Sequence, residues 1–196
     1  MEENKMVSPD DLGSPDPYIR LLAVRALGEG VQITQHKRPM MGRSSKSVEK
    51  APYELLIPLL SDEDQLVRVE AAWVLGEQDE IGADTVQVLA EVLSKDDDED
   101  VRIIVAHILG KHGGVEAKNA LIKHAMARDS SIDVRLEVVR ALGRLLASQP
   151  RRTTLGGSAE EEVETTLRQV AESDPNPVLR RVARVHLERV RMKAQS

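Results

Sequence analysis

Apolar positions recur along this chain every three to four residues, and five stretches share one register. Ile19, Val67, Val101, Val134 and Leu179 each stand one place before an arginine: Arg20, Arg68, Arg102, Arg135 and Arg180. Four places before those arginines stand Asp16, Asp64, Asp98, Ser131 and Asn176, residue types suited to cap a helix. Seven places after them stand Leu27, Leu75, Leu109, Leu142 and Leu187; eight after stand Gly28, Gly76, Gly110, Gly143 and then Glu188. A capping residue, an apolar stripe and a glycine near the far end predict a helix of roughly three turns in each stretch. The glycine precedes the end of the stripe, so close packing against a neighbouring helix is expected of it as much as termination.

Between these stretches the spacing predicts further helices at about Ala51–Leu60, Asp84–Ser94, Val115–Ala127 and Glu160–Ser173, the second of them carrying Val86, Leu89, Ala90 and Leu93 on one face. The chain therefore alternates a first and a second helix. The arginine-to-arginine steps are 48, 34, 33 and 45 residues, so the unit is about 33 and the longer steps hold insertions at 31–50 and 148–159. Both insertions are polar and broken by Pro and Gly, and are expected to be mobile loops. The first repeat leaves hardly any room for a first helix before Pro15. The last puts Arg184 at an apolar position and Glu188 in place of glycine, as a terminal cap requires. The expectation is one all-α domain over residues 1–196: a right-handed α-α superhelix of about five helical hairpins. Its N-terminal end is expected to be open, able to take a second copy or a second subunit.

The pattern Asp-x-x-Val-Arg-x-x-Ala-Ala-x-x-Leu-Gly, seen in full or in part at the five sites, resembles the short HEAT-like repeats of phycobilisome-lyase-type proteins and of many bacterial scaffold proteins. The resemblance covers nearly the whole chain outside the insertions. It implies a ladder in which Asp16, Asp64 and Asp98 and the arginines Arg20, Arg68, Arg102, Arg135 and Arg180 bridge successive repeats. Ser131 and Asn176 replace the aspartate in the fourth and fifth repeats and depart from that ladder. The arginines share the angular face of the core leucines, which suits a paired, partly buried role.

Composition narrows the picture. Aromatic residues make up 2% and Phe is absent, which suits thin helix-on-helix layers built of Ala, Val, Leu and Ile. No apolar run is long enough to cross a membrane. The N-terminus lacks the basic and apolar parts of a signal peptide. Without Cys there is no disulfide, thiolate nucleophile or Cys-based zinc site, and a reducing cytoplasm is the simplest setting. The net charge of −6 is unevenly placed: residues 1–98 hold 10 basic and 20 acidic side chains, residues 99–196 hold 17 and 13. Such an asymmetry orients a partner. The acidic run Asp96–Asp100 lies at a predicted helix start, where carboxylates suit the dipole, and lacks the spacing of a calcium loop. The five histidines lack metal-ligand spacing, Gly113-Gly114 reads as a turn, and nothing assembles an acid, a base and an electrophile. No enzyme activity and no cofactor are expected.

In a HEAT architecture the second helices line the concave face. Positions two, five and nine after each arginine point together, away from the core stripe. They are Leu22, Arg25, Glu29; Glu70, Trp73, Glu77; Ile104, His107, Lys111; Glu137, Arg140, Arg144; and Val182, Val185, Arg189. The strip runs from mostly acidic to mostly basic. Trp73, Ile104 and His107 are the candidate apolar centre of a partner-binding groove, with Glu70, Glu77, Lys111, Arg140 and Arg144 around it. Alternatively, Trp73 folds over the edge of its own helix onto the next repeat. The function expected is a non-enzymatic scaffold or adaptor that grips a helix or loop of another protein. A chromophore-lyase or chromophore-handling subunit is the alternative implied by the resemblance. A nucleic-acid-binding solenoid ranks third, because the strip begins acidic and the basic C-terminal helix carries no stacking aromatics.

Overall fold

The computed structural model describes residues 8–30, 53–127, 131–148 and 156–195, and every regular element among them is helical. The chain divides into two compact units, Met1–Gln78 and Asp79–Ser196. Each is a set of helical hairpins of the α-solenoid class.

The first unit holds α1 (Pro9–Leu12), α2 (Pro17–Gly28), two 3-10 turns (Tyr53–Leu56 and Pro58–Ser61) and α3 (Gln65–Gly76). Helix α1 occupies a place where hardly any room was expected. A capping box makes it: Ser8 Oγ accepts from Asp10 N at 3.3 Å, and the Asp11 carboxylate accepts from Ser8 N at 2.8 Å. The helix expected over Ala51–Leu60 is instead the pair of 3-10 turns, with residues 51 and 52 outside the described set. Pro58 is the cause. It has no N–H for the Glu54 carbonyl, and its ring crowds that carbonyl, so Ile57 N closes a short turn on Glu54 O at 3.2 Å. Leu56 and Leu60 still reach the core beside Val24, Leu27, Val67 and Leu75, all nearly inaccessible to solvent.

The second unit holds three full hairpins: α4 (Ala83–Lys95) with α5 (Glu99–His112), α6 (Val115–Met126) with α7 (Ile132–Ser148), and α8 (Gly156–Ser173) with α9 (Pro177–Gln195). First helices pack in the order α4, α6, α8, and second helices in the order α5, α7, α9. Leu89, Leu93, Leu109, Leu121, Leu142, Leu167 and Leu179 fill the space between the layers with no exposed surface. Each such burial contributes on the order of 2 kcal/mol. Helix α8 begins at Gly156, inside the insertion expected over 148–159; the insertion over 31–50 lies outside the described residues. The turn between α5 and α6 needs Gly113 and Gly114, whose φ angles of +74° and +94° are left-handed.

Two devices tie one repeat to the next. The first is the glycine eight places after the ladder arginine, which receives the residue six places after the next arginine. A Cβ on Gly28 would stand 2.8 Å from Val74, one on Gly110 2.6 Å from Ala141 Cβ, and one on Gly143 2.2 Å from the His186 ring. These glycines let second helices approach closely; Gly110 and Gly143 lie inside their helices, while Gly28 is the last residue of α2.

The second device is the arginine ladder, and here the acids differ from those expected. Asp16, Asp64 and Asp98 are N-caps of their own helices, accepting from Tyr18 N at 2.9 Å, Leu66 N at 2.8 Å and Val101 N at 3.1 Å. The bridging acid stands two places earlier. Arg20 grips Asp62 side-on, with Nε and Nη2 at 2.8 and 2.7 Å, while its Nη1 donates to Ser14 O at 2.7 Å. Arg135 pairs with Asp174 and also reaches Ala125 O at 3.3 Å. Asp62 and Asp174 each serve three donors. One carboxylate oxygen accepts the N-cap N–H of its own repeat, Asp64 N at 2.9 Å or Asn176 N at 2.8 Å. The carboxylate also takes the arginine of the preceding repeat. The carbonyl takes the arginine six places on, Arg68 at 2.9 Å or Arg180 at 2.6 Å. Arg102 makes the same carbonyl bond to Asp96 at 2.5 Å. Asp129, which holds the equivalent place in sequence, lies outside the described residues.

Burial pushes the Asp62 carboxyl up, but the Arg20 hydrogen bond, the Asp64 N–H and the charges of Arg20 and Arg68 together hold it below the ordinary 3.8. A carboxyl depressed in the folded state supports the fold above its ordinary pKa. That support is lost as pH falls through the depressed value.

Two substitutions test these devices by urea denaturation. Gly110→Val drives its side chain into Ala141 and its backbone, with a carbon 2.6 Å from Ala141 Cβ and 2.7 Å from Ala141 Cα. A loss of about 1–3 kcal/mol is expected despite valine's better helix propensity. Arg135→Met leaves the Asp174 carboxylate buried with no cation; its side chain is 4% exposed. A loss of about 3–5 kcal/mol is expected, and unchanged urea midpoints in either variant would contradict the packing described.

Candidate partner-binding face

The face in question is the outer side of the second helices, and each unit presents its own part. In the first unit, α2 and α3 expose apolar side chains in matching register. Tyr18 and Leu66, two places before their arginines, are 64% and 59% exposed, and Leu22 and Trp73 follow at 38% and 52%. Large apolar groups left in water on one side of neighbouring helices are a feature that interfaces share. Between them Arg25 Nε meets Glu70 Oε2 at 3.2 Å, the carboxylate being mostly covered. Glu29 and Glu77 are exposed at the far end of the same strip.

In the second unit the strip is organised by Glu137, whose side chain is 12% exposed. It accepts from Arg144 Nη2 at 2.6 Å, from His107 Nδ1 at 3.1 Å and, more distantly, faces Arg140 Nη1 at 3.6 Å. A carboxylate only accepts, so the His107 tautomer that makes this bond carries its proton on Nδ1. Of the residues expected to bind, His107, Arg140 and Arg144 are therefore brought together around an acid of α7. Ile104 is half-buried on α5, and Lys111 is exposed one turn beyond His107. Trp73 and Glu70 lie on α3 in the first unit, and Glu77 is the residue that caps its C-terminus.

Beyond the Glu137 cluster lies an open groove of about 400 Å³ between α7 and α9. Arg140 and Arg144 line one side. Arg181, Val182, Val185 and Arg189 line the other, and His186 sits in the notch left by Gly143. Arg144 Nε is buried and meets no hydrogen-bond partner among the described residues. Burial, then the charges of Arg189, Arg144 and Arg140, hold the His186 imidazole below its ordinary 6.5.

Arg181 and His186 were not among the expected binding residues, yet a signal for both exists in the register. One place after the ladder arginine the other repeats carry Leu21, Val69, Ile103 and Leu136; six places after it they carry Ala26, Val74, Ile108 and Ala141. Each of the two residues breaks an aliphatic column.

Among the described residues, no cluster of His, Asp and Glu is arranged to hold a metal, and no helix is long and apolar enough to cross a membrane. What the face can do chemically, in each unit, is present exposed apolar side chains beside fixed charges.

The chain matches the sequence model for HEAT repeats over residues 11–102, 53–143 and 86–188. No curated protein is significantly similar to it in sequence. Among solved structures it is similar to an engineered protein (22% identity, 94% of this chain and 78% of that one, TM-score 0.56). It is similar also to a designed armadillo repeat protein in complex with the peptide (KR)4 (17% identity, 93% and 80%, TM-score 0.56). A HEAT-like repeat protein from Thermococcus onnurineus NA1 aligns at 14% identity over 94% of this chain and 85% of that one, with TM-score 0.47.

The groove's electrostatics yield a pH test. The folded chain keeps His186 neutral where the unfolded chain protonates it, so stability falls as pH drops below about 6.5 towards the depressed value. In a histidine NMR titration, His186 is expected to titrate below 6.5, and Arg189→Ser to move that midpoint upward. A midpoint at or above 6.5 in the parent chain would be inconsistent with the groove's positive field.

Proposed function

The chain belongs to the HEAT-repeat family, and from that premise we propose that it is a non-enzymatic interaction module whose second-helix face holds a partner protein. The observation that carries this reading is the placement of exposed apolar side chains. Tyr18, Leu22, Leu66 and Trp73 in the first unit, and Val178 and Val185 in the second, all project from second helices. Each group lies beside charges: Arg25 and Glu70 in one unit, and the Glu137 cluster with Arg181 and Arg189 in the other. An apolar centre with a charged rim is the anatomy of a protein interface. A helical-repeat protein of similar fold is known in complex with a peptide. A chain without Cys suits a reducing, cytoplasmic setting.

Two other readings have less support. The chromophore-handling role rests on the repeat pattern alone. Nucleic-acid binding asks for stacking side chains, and α7 and α9 contain no Phe, Tyr or Trp.

The test compares partner capture by the parent chain, by Trp73→Ala and by Thr165→Arg on the first-helix side of α8. Trp73→Ala is a surface change, expected to alter stability by less than about 1 kcal/mol and to weaken partner binding at least tenfold by calorimetry. A partner that tolerates Trp73→Ala and also Arg140→Glu, but is lost by Thr165→Arg, would overturn the reading.

A further inference from the structure

The groove between α7 and α9 has a definite chemistry. Four guanidinium groups surround it, and its lining contains no carboxylate. Glu137 stands outside the lining and already accepts from Arg144 and His107 while facing Arg140. Among the described residues, neither the Arg181 nor the Arg189 side chain forms an ion pair or a hydrogen bond, and both residues are exposed. Unpaired arginines beside an unpartnered, buried Arg144 Nε make an anion-seeking surface, since guanidinium forks match carboxylates in bidentate geometry. The floor, however, is aliphatic: Val182 and Val185, the latter 38% exposed. A small inorganic anion would leave that floor wet.

The spacing defines the ligand further. Arg181 and Arg189 lie two turns apart on α9, a rise of about 12 Å. In an extended peptide, residues i and i+4 lie on the same side and are about 13 Å apart. Residue i+2 falls between them on that side, above Val185. Resting on the partner-binding reading, we infer that this groove is a docking site for an extended acidic segment of a partner protein. Two carboxylates four residues apart meet Arg181 and Arg189, and an aliphatic side chain midway between them covers Val182 and Val185. Arg140 and Arg144 hold the segment's flank from α7. A nucleic-acid strand would supply the negative charge but no aliphatic contact, and it would find no Phe, Tyr or Trp on either helix.

The experiment uses the full chain and a fluorescein-labelled heptapeptide with the core glutamate–serine–leucine–serine–glutamate, followed by fluorescence anisotropy in 20–50 mM salt, a working range of the order in which charge contacts are weakly screened. Three control ligands are a peptide with serine for the leucine, one with lysines for the glutamates, and a labelled oligothymidylate. The variants are Arg181→Ser with Arg189→Ser, and, as a control of equal charge per site, Arg191→Ser, an exposed residue of α9 outside the groove. Circular dichroism checks that each variant is folded. The inference expects binding of the acidic peptide, at least threefold weaker binding without the leucine, and none with lysines. It expects at least a tenfold loss in the double variant and less than twofold in Arg191→Ser. It is overturned if the folded parent chain does not bind the acidic peptide, if Arg191→Ser matches the double variant, or if oligothymidylate binds more tightly. Absence of peptide binding alongside partner capture that still depends on Trp73 would sink this inference and leave the interaction-module reading standing.

Discussion

A buried arginine bridging to an aspartate of the next repeat is the constraint on which both units depend. Thin layers of Ala, Val and Leu supply non-directional burial, which lets helices slide over one another at little cost. The Arg20–Asp62 and Arg135–Asp174 pairs remove that freedom. Each acid is pinned by its own N-cap N–H, and its carbonyl is pinned by the arginine six residues on. An arginine reaching that acid therefore sets the distance between the N-terminal ends of two second helices. A desolvated guanidinium cannot settle for a poorly placed partner, because an uncompensated buried charge costs several kcal/mol. The glycine notch sets the distance farther along the helices, where Val74, Ala141 and His186 enter the spaces left by missing Cβ atoms. In the α2–α3 and α7–α9 pairs, two fixed points leave little choice of angle.

This rigid pairing has a consequence on the outer face. Side chains two, five and nine places after the arginine are carried by helices whose spacing is already fixed, so their charges meet in set combinations. In the second unit that brings one carboxylate, Glu137, against His107, Arg140 and Arg144. One acid among three basic groups leaves positive charge over, and α9 adds Arg181 and Arg189 to it. In the first unit Arg25 and Glu70 pair one to one, and aromatic and aliphatic side chains stand beside them. The scaffold's repetition and the face's variety thus come from different positions of the same helices. Ladder and notch residues repeat because geometry demands it. Outward positions do not touch the core, and so are free to differ.

The repeat itself was legible from residue spacing alone. Caps, arginine, leucine and glycine recur in one register, and local rules dictate each: a side-chain oxygen must satisfy the first turn, and a period near 3.6 buries one stripe. Helices α2, α3, α5, α7 and α9 follow from those rules, as does the chain's membership of the HEAT-repeat family. The strip of outward positions followed too, since it is only an angle around a helix. Pro58 stands in the sequence, yet the apolar spacing around it still reads as helical. The break came from a missing N–H that the apolar pattern does not record.

What the tertiary structure alone decided is which groups meet. Asp62 and Asp64 stand two residues apart and both are aspartates, so spacing could not tell the cap from the bridge. The turn decides it: the Asp64 side chain folds forward onto its own helix, while the Asp62 side chain faces Arg20. Glu137 lay on the predicted strip, but its role as the shared acceptor needed α5 and α7 side by side. Arg181 and His186 stood out only as breaks in aliphatic columns; that they border a groove with Arg140 and Arg144 follows from the α7–α9 approach that Gly143 permits. Local sequence determined the helices and their faces because those depend on neighbours within one turn. The ion pairs and the groove depend on residues some 30 to 45 positions apart, and only packing brings such residues together.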